Sequence, residues 1–275
     1  MFLLTPYYTS TESARNLENA FCLEQNILNP QIQRIYLFLE QPDGPDLSNF
    51  PAGLQDKVVL VPIGRRPFFS DLFSYANALD EEGIKIIANS DVFFDGTLAL
   101  VESCLSKYDV LALTRWDLKG EGSLEFYNSF KSQDCWIFRR QIPVETGRFY
   151  IGYPGCDNRL LYEFRKRRLT FYNPSLSIKA IHVHQSQLRG YQKNTGDKQV
   201  PPPYEYALPA FCSDAPASSD PDLRTVFAEG RYRFFKSMSN NTLPGKHMGL
   251  IHRVFAFFVA KYWAAVYRKI LAICF

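Results

Sequence analysis

Residues 86–95 read Ile-Ile-Ala-Asn-Ser-Asp-Val-Phe-Phe-Asp, an apolar run that halts on Asn89-Ser90-Asp91 before apolar residues resume. The run has the length and composition of a buried strand. An acidic group just past such a strand stands where the carboxyl edge of a parallel sheet opens to a ligand. Asn89 and Asp91 lie two apart, so on an extended chain they share a face. Oxygen donors in that place suit a hard divalent cation, magnesium or manganese. A plain strand-end turn is the other reading of the same residues.

Outward from this stretch, strand and helix patterns alternate at short spacing. Strands are expected at Phe2 to Thr5, Ile35 to Leu39, Val58 to Ile63, Ile84 to Ala88, Val110 to Thr114, Trp136 to Arg139 and Ser177 to Val183. Helices are expected at Ser13 to Asn26, with Leu17, Ala20, Phe21 and Leu28 on one side, and at Ser70 to Leu79, where Ser70 or Asp71 would cap. Two more are expected at Thr97 to Ser106 and Asn158 to Arg167. Alternation of this kind argues for an α/β fold, a mostly parallel sheet with helices on both faces. Residues 195–248 carry much Pro, Ser and Asp in their first half and read as a linker or mobile loop between a catalytic domain at 1–194 and a separate tail at 249–275.

The totals are those of a globular chain. It has 275 residues, 46% hydrophobic and 21% charged, enough to bury a sizeable core. An aromatic share of 15% favours surfaces that take rings: sugars, bases or a membrane interface. A net charge of +3 with no basic block interleaved with aromatics gives no footprint for nucleic acid. Six scattered cysteines without a CxxC pair suit reduced, mostly buried thiols in a cytoplasmic protein. The start, MFLLTPYY, lacks the basic and apolar regions of a signal peptide.

Further along, Gly155-Cys156-Asp157-Asn158-Arg159-Leu160-Leu161-Tyr162-Glu163-Phe164 precedes Asn173-Pro174 and then His182-Val183-His184-Gln185-Ser186. Together with Asn89-Ser90-Asp91 this order resembles the GT-A nucleotide-sugar glycosyltransferases, particularly their large family-two group. The likeness spans roughly residues 1–191 and is most specific at 86–95 and 155–191. The Asn-Ser-Asp stretch stands where that family carries its DXD motif, with the first Asp replaced by Asn89. The resemblance implies a GT-A-like sheet and an enzyme that moves a sugar from a nucleotide-sugar donor to a saccharide or lipid-linked acceptor, with Mn2+ or Mg2+ as cofactor. A departing nucleoside diphosphate builds charge that a divalent ion neutralises.

By the same resemblance Asp91 is the metal-binding Asp, and His184 or His182 a second ligand or phosphate donor. The two histidines alternate on an expected strand, so only one should face the site. Asp157 matches the acidic residue that deprotonates the acceptor hydroxyl in inverting members; a helix cap is its simpler reading. Thr5, Glu40, Arg66, Asn77, Asn89 and Ser90 fall at donor-binding positions. Arg66 (or Arg65) would meet the diphosphate through a planar guanidinium. Trp136 would wall the acceptor side, unless it is a core residue, and Arg189 would close over the phosphates. A catalytically impaired sugar- or nucleotide-binding protein and a nucleotidyltransferase are the alternatives. Residues 94–98, Phe-Asp-Gly-Thr-Leu, look like the loop of haloacid-dehalogenase phosphatases, but Phe93 stands where their nucleophilic Asp belongs. The tail 249–275 reads as an amphipathic helix, with Arg253, Lys261 and Arg268 on one side and Phe255, Phe258, Tyr262 and Ile270 on the other. That division suits peripheral attachment to the inner face of a membrane in surface polysaccharide synthesis.

Overall fold

The structure, a computed structural model, describes residues 1–79, 82–127, 129, 131–184 and 199–212. The tail 249–275 and Arg189 lie outside the described residues. In chain order the elements are β1 (Phe2–Tyr7), α1 (Ser13–Leu28), β2 (Arg34–Leu39), α2 (Ala52–Gln55), β3 (Val58–Pro62), α3 (Phe69–Asn77), β4 (Lys85–Ala88) and β5 (Val92–Phe94). There follow α4 (Val101–Leu105), β6 (Val110–Leu113), β7 (Arg115–Leu118), β8 (Leu124–Phe126), β9 (Cys135–Phe138), α5 (Cys156–Lys166), β10 (Phe171–Tyr172) and β11 (Ala180–His182).

Seven strands form one sheet in the order β10-β6-β9-β4-β1-β2-β3. All neighbours are parallel except β9, which runs antiparallel between β4 and β6. The expected α/β fold with a mostly parallel sheet is therefore present. Period-two alternation along the central strands sends their side chains into two separate cores. Leu3, Ile35, Leu37, Ile86 and Ile137 pack against Leu23 and Ile27 of α1 and against α4. Leu4, Phe38, Ile87, Trp136 and Phe138 pack against α3 and α5 on the opposite face. With helices on both faces, the side chains that follow β1, β2 and β4 gather at the edge where these strands end.

A smaller sheet, β5-β11-β7-β8, completes that edge. Its register sets His182 opposite Val92 on one side and opposite Asp117 on the other. None of its strands exceeds four residues, and β5, β7 and β8 have no counterpart among the strands expected from the sequence.

Several expectations are corrected. On α1 the apolar residues Leu17 (72% exposed) and Leu28 (52%) face outward. The buried side carries Glu18, Asn19, Cys22, Leu23, Asn26 and Ile27. The reason lies in β5, whose backbone needs partners: the Asn26 amide donates to the Val92 carbonyl (2.9 Å) and accepts from Phe94 N–H (3.2 Å). Residues 199–212, expected in a linker, pack on the sheet domain, where Ala210 N–H donates to the Asn173 carbonyl (2.8 Å) and Glu205 N–H to that of Asn158 (3.0 Å). Cys104 and Cys212 form a disulfide where free thiols were expected; Cys22, Cys135 and Cys156 are free and buried. Asp95 accepts from Thr97 N–H (2.9 Å) and caps the 3-10 turn Gly96–Leu100, which explains the Asp-Gly-Thr stretch without phosphatase chemistry. Among the described residues no helix is long and apolar enough to cross a membrane.

Candidate active site

Asp91 sits three residues past the end of β4, in the turn that leads into β5. The chain there is not extended, so Asn89 and Asp91 part company instead of sharing a face. Asp91 Oδ2 accepts from Arg15 Nη2 at 2.5 Å and faces His182 Nε2 at 3.1 Å. The other nitrogen of His182, Nδ1, lies 3.1 Å from Asp117 Oδ1. This is the small sheet's register at work, since β11 runs between the start of β5 and the middle of β7. Asp117 also accepts from Arg115 Nε (2.8 Å), and Arg115 Nη1 reaches Asp134 Oδ2 at 3.5 Å.

Asn89 turns the other way and donates through Nδ2 to Asp134 Oδ1 (3.3 Å). An Asp at position 89 would set carboxylate against carboxylate there. Asn supplies the donor that Asp134 needs, a structural reason for the departure from the DXD pattern.

Asp157 lies in the first turn of α5. Its Oδ2 accepts from Gln133 N–H (3.3 Å) and its Oδ1 from Asn158 N–H (3.0 Å). Gln133 is the neighbour of Asp134, so the two carboxylates belong to one group. Gly155 opens α5 with φ +82°, and a Cβ there would lie 2.7 Å from the Tyr204 hydroxyl and 2.9 Å from the Val200 carbonyl. Only glycine lets residues 199–204 close over the start of the helix.

The groups differ in charge state. Burial opposes ionisation of Asp91, but the charge and hydrogen bond of His182, and then those of Arg15, outweigh it and hold the carboxyl well below the usual range. Burial would lower His182; the Asp91 charge and the bond to Asp117 reverse that and keep it protonated. Burial raises Asp117, yet its bond to His182 and the charge of Arg115 bring it down to about 2. His184 is lowered by burial and by the charges of His182 and Arg15, so it stays neutral. Asp157 goes the other way, pushed up to about 7, first by burial and then by the charge of Asp134. Carboxylates driven apart in this way are suited to different tasks.

A divalent ion fits part of this set. Ligand atoms of Asp91, His182 and His184 lie within 4.8 Å of one another, so both histidines reach the site, contrary to the alternation expected. The strand ends at His182 and the chain has left the pleat by His184. Asp91 Oδ1 is buried with no hydrogen-bond partner among the described residues, an orphan that a cation would satisfy. Neutral His184 offers a lone pair. His182 does not, because both its nitrogens face carboxylates and act as donors. Asp91 and His184 are therefore the pair that would hold an ion, and it would neutralise charge on a leaving diphosphate.

The other expected positions divide. Glu40 follows β2 and pairs with Arg66 Nε at 3.2 Å. The Arg66 guanidinium also lies 5.6 Å from the rings of Tyr8 and Tyr153. Arg66 Nη1 and Asn89 Oδ1 are each 3.7 Å from where a Cβ on Gly152 would stand, so Arg66, with its partner Glu40, and Asn89 all lie close to Gly152. Arg65 instead pairs with Asp71 (2.8 Å) at the start of α3. Ser90 is partly exposed in the same turn as Asp91.

Three assignments are corrected. Thr5 is 6% exposed and its hydroxyl turns to the Pro6 carbonyl at 3.4 Å, so it is buried within β1 with its hydroxyl on the strand's own backbone. Asn77 is taken up by the Ile142 backbone, donating at 2.8 Å and accepting at 3.0 Å. It lines a different cavity with Lys85, at the opposite end of β4 from Asp91. Trp136 is 1% exposed and meets Phe69 edge to face at 4.8 Å; it is core, because β9 is an interior strand. Conversely, Arg15, Glu18, Arg115 and Asp117 were not singled out as site residues, and Asp134 only as part of the Gln133-Asp134-Cys135-Trp136 stretch expected at the acceptor side. The Arg115-Trp116-Asp117 stretch repeats the signal of Asn89-Ser90-Asp91, polar residues directly after an apolar strand.

No family model matches the chain, and no characterised protein matches its sequence. In shape it is similar to residues 1–349 of S. aureus TarS, at 11% identity over 90% of this chain and 67% of that one, TM-score 0.37. It is also similar to the mannosyltransferase PcManGT from Pyrobaculum calidifontis in complex with GDP-Man and Mn2+, at 14% identity over 69% and 58%, TM-score 0.40. GalNAc-T7 with UDP, GalNAc and Mn2+ is similar at 11% identity over 93% and 54%, TM-score 0.48. Likenesses this distant say nothing of this chain's substrate or reaction, which must be read from its side chains.

Proposed function

We propose that the chain is a glycosyltransferase that moves a sugar from a nucleotide-sugar donor to a hydroxyl acceptor. The observation that carries the reading is the pair of carboxylates at one sheet edge with opposite proton affinities. Asp91 is fixed as an anion, with Oδ1 unpartnered among the described residues and neutral His184 close by, and suits a cation on the donor's diphosphate. Asp157, pushed up to about 7, suits a general base: it takes a proton from the acceptor hydroxyl, whose oxygen attacks the anomeric carbon as the diphosphate leaves. Arg66 and Asn89 both lie close to Gly152, and Arg66 is the group to meet the phosphates. Mn2+ or Mg2+ is the proposed ion. The amphipathic sequence at 249–275 supports a further reading, that the enzyme works on a lipid-linked or polysaccharide acceptor at the inner face of a membrane.

The test is a panel of nucleotide sugars with Mn2+, monitored for release of nucleoside diphosphate with and without added saccharide acceptors. Release that requires both the ion and Asp91 is expected. Tight binding without release would make the chain a binding protein. Consumption of a nucleoside triphosphate with release of pyrophosphate would make it a nucleotidyltransferase.

A further inference from the structure

Arg15 is the feature of the site that the proposed reaction leaves unexplained. It lies in the first turn of α1, on the helix that follows β1, and its guanidinium is inserted between the two residues assigned to the ion. Nη2 donates to Asp91 Oδ2 at 2.5 Å, and Nη1 lies 3.2 Å from His184 Nδ1. Arginine has no acceptor to offer, so this second contact uses the Nδ1 lone pair. A lone pair that accepts from a guanidinium cannot bind a metal ion. Asp91 Oδ2 already meets a second cation, His182, so a dication entering here would join two positive charges around a single carboxylate.

The same guanidinium has somewhere else to go. Glu18, one turn further along α1, takes Nη1 at 3.0 Å, and the Tyr8 hydroxyl meets Nε at 3.2 Å. A small rotation about the side chain can trade Asp91 for Glu18 without breaking every bond Arg15 makes.

We propose that Arg15 and the divalent ion compete for Asp91 and His184, with Glu18 as the carboxylate that receives Arg15 when the ion is bound. In the ion-free protein Arg15 then serves as the counter-charge of Asp91. The ion alone binds weakly, and binds well only with a diphosphate that supplies negative charge of its own. The inference rests on the reading of Asp91 and His184 as the ion's ligands.

Calorimetric titration with Mn2+ alone, without nucleotide or sugar, tests it through two variants that act in opposite directions. Arg15→Gln removes the competitor and is expected to tighten Mn2+ binding by at least about tenfold, as loss of a like charge at contact range should. Glu18→Gln removes the alternative partner, holds Arg15 on Asp91 and is expected to weaken Mn2+ binding. Equal or weaker binding by Arg15→Gln overturns the proposal, as does unchanged or tighter binding by Glu18→Gln; the second result decides alone if Arg15→Gln does not fold. Because the titration contains no donor, it is independent of turnover. Opposite shifts in Mn2+ affinity without any sugar transfer would remove the proposed reaction and keep the competition. Transfer with an Mn2+ affinity that ignores both variants would do the reverse.

Discussion

Asp134→Asn should move the acid limb of the pH–rate profile, and the structure gives both direction and size. The Asp157 carboxyl is pushed up to about 7, by burial first and by the Asp134 charge second. A general base works only when ionised, so kcat/KM, which reports the free enzyme, should rise with pH through a midpoint near that value. Removing the Asp134 charge leaves Asp157 as buried as before, so the midpoint should fall only part of the way toward the ordinary 3.8. A drop of one unit corresponds to about 1.4 kcal/mol. It would raise the ionised fraction at pH 6 from roughly a tenth to roughly a half, a gain of about fivefold in kcat/KM. Asn preserves the shape, and Arg115 keeps Asp117 at 2.8 Å, so the fold should survive. The sign of the stability effect is also fixed. A carboxyl whose folded value lies above its unfolded value stabilises the fold fully below about pH 4, and that contribution is lost as pH rises through about 7. Three units make this on the order of 4 kcal/mol at most, less where water reaches the carboxyl. Melting curves of Asp134→Asn should therefore fall less steeply than wild type between pH 5 and 8. A limb that stays near 7 would show that Asp134 does not govern Asp157.

Two further outcomes separate chemistry from packing. Asp157→Asn should lower kcat by at least about a hundredfold with little change in donor affinity, as removal of a base does; near-normal turnover with a lower melting temperature would make Asp157 a helix cap. Trp136→Phe should lower stability by roughly 1–2 kcal/mol through lost core contacts and leave the acceptor KM within about twofold. The loss is at the small end because the buried Trp136 Nε1 has no partner among the described residues. An acceptor KM raised tenfold in a protein of unchanged stability would restore Trp136 to the acceptor wall.

What could be read from the sequence followed from local periodicity. β1, β2, β4 and β6 are apolar runs of strand length, and each was visible as such. Asp91 stood out because it sits where an apolar strand meets a polar turn, whereas Asp157 was singled out through the family resemblance, at the opening of an expected helix. The buried side of α1 was not legible. Leu17 and Leu28 look like a core face, but the helix covers β5, whose edge wants amide groups, and Asn26 supplies them. The small sheet escaped because strands of three or four residues carry too little pattern to register. With it went Asp117 and the true setting of His182, both of which depend on pairing between distant strands. The expectation that His182 and His184 must face opposite ways failed for a related reason: alternation holds only while the strand continues. Arg15 did leave a trace. A cation in the first turn of a helix opposes the helix dipole at a cost of about 0.3–1 kcal/mol, and such a misfit asks for a partner elsewhere.

The run of alternating charges from Glu18 through Arg15, Asp91, His182, Asp117 and Arg115 to Asp134 is poorly explained as a device for stability. Its members are mostly buried, and taking paired ions out of water costs about as much as their attraction returns. Well-packed apolar residues of similar size would hold α1, β7 and β11 together as firmly. They could not keep one carboxylate ionised close to a neutral imidazole. Nor could they place a negative charge beside Asp157 while a cation sits on Asp91. In this network each carboxylate is distinguished by its neighbours: Asp91 by two cations, Asp157 by burial and a like charge. Asn89 follows the same logic, since a third acid beside Asp134 would add repulsion where a hydrogen-bond donor is required. The arrangement is best understood as one that sets proton and cation affinities at the sheet edge, with the rest of the fold supplying the stability it costs.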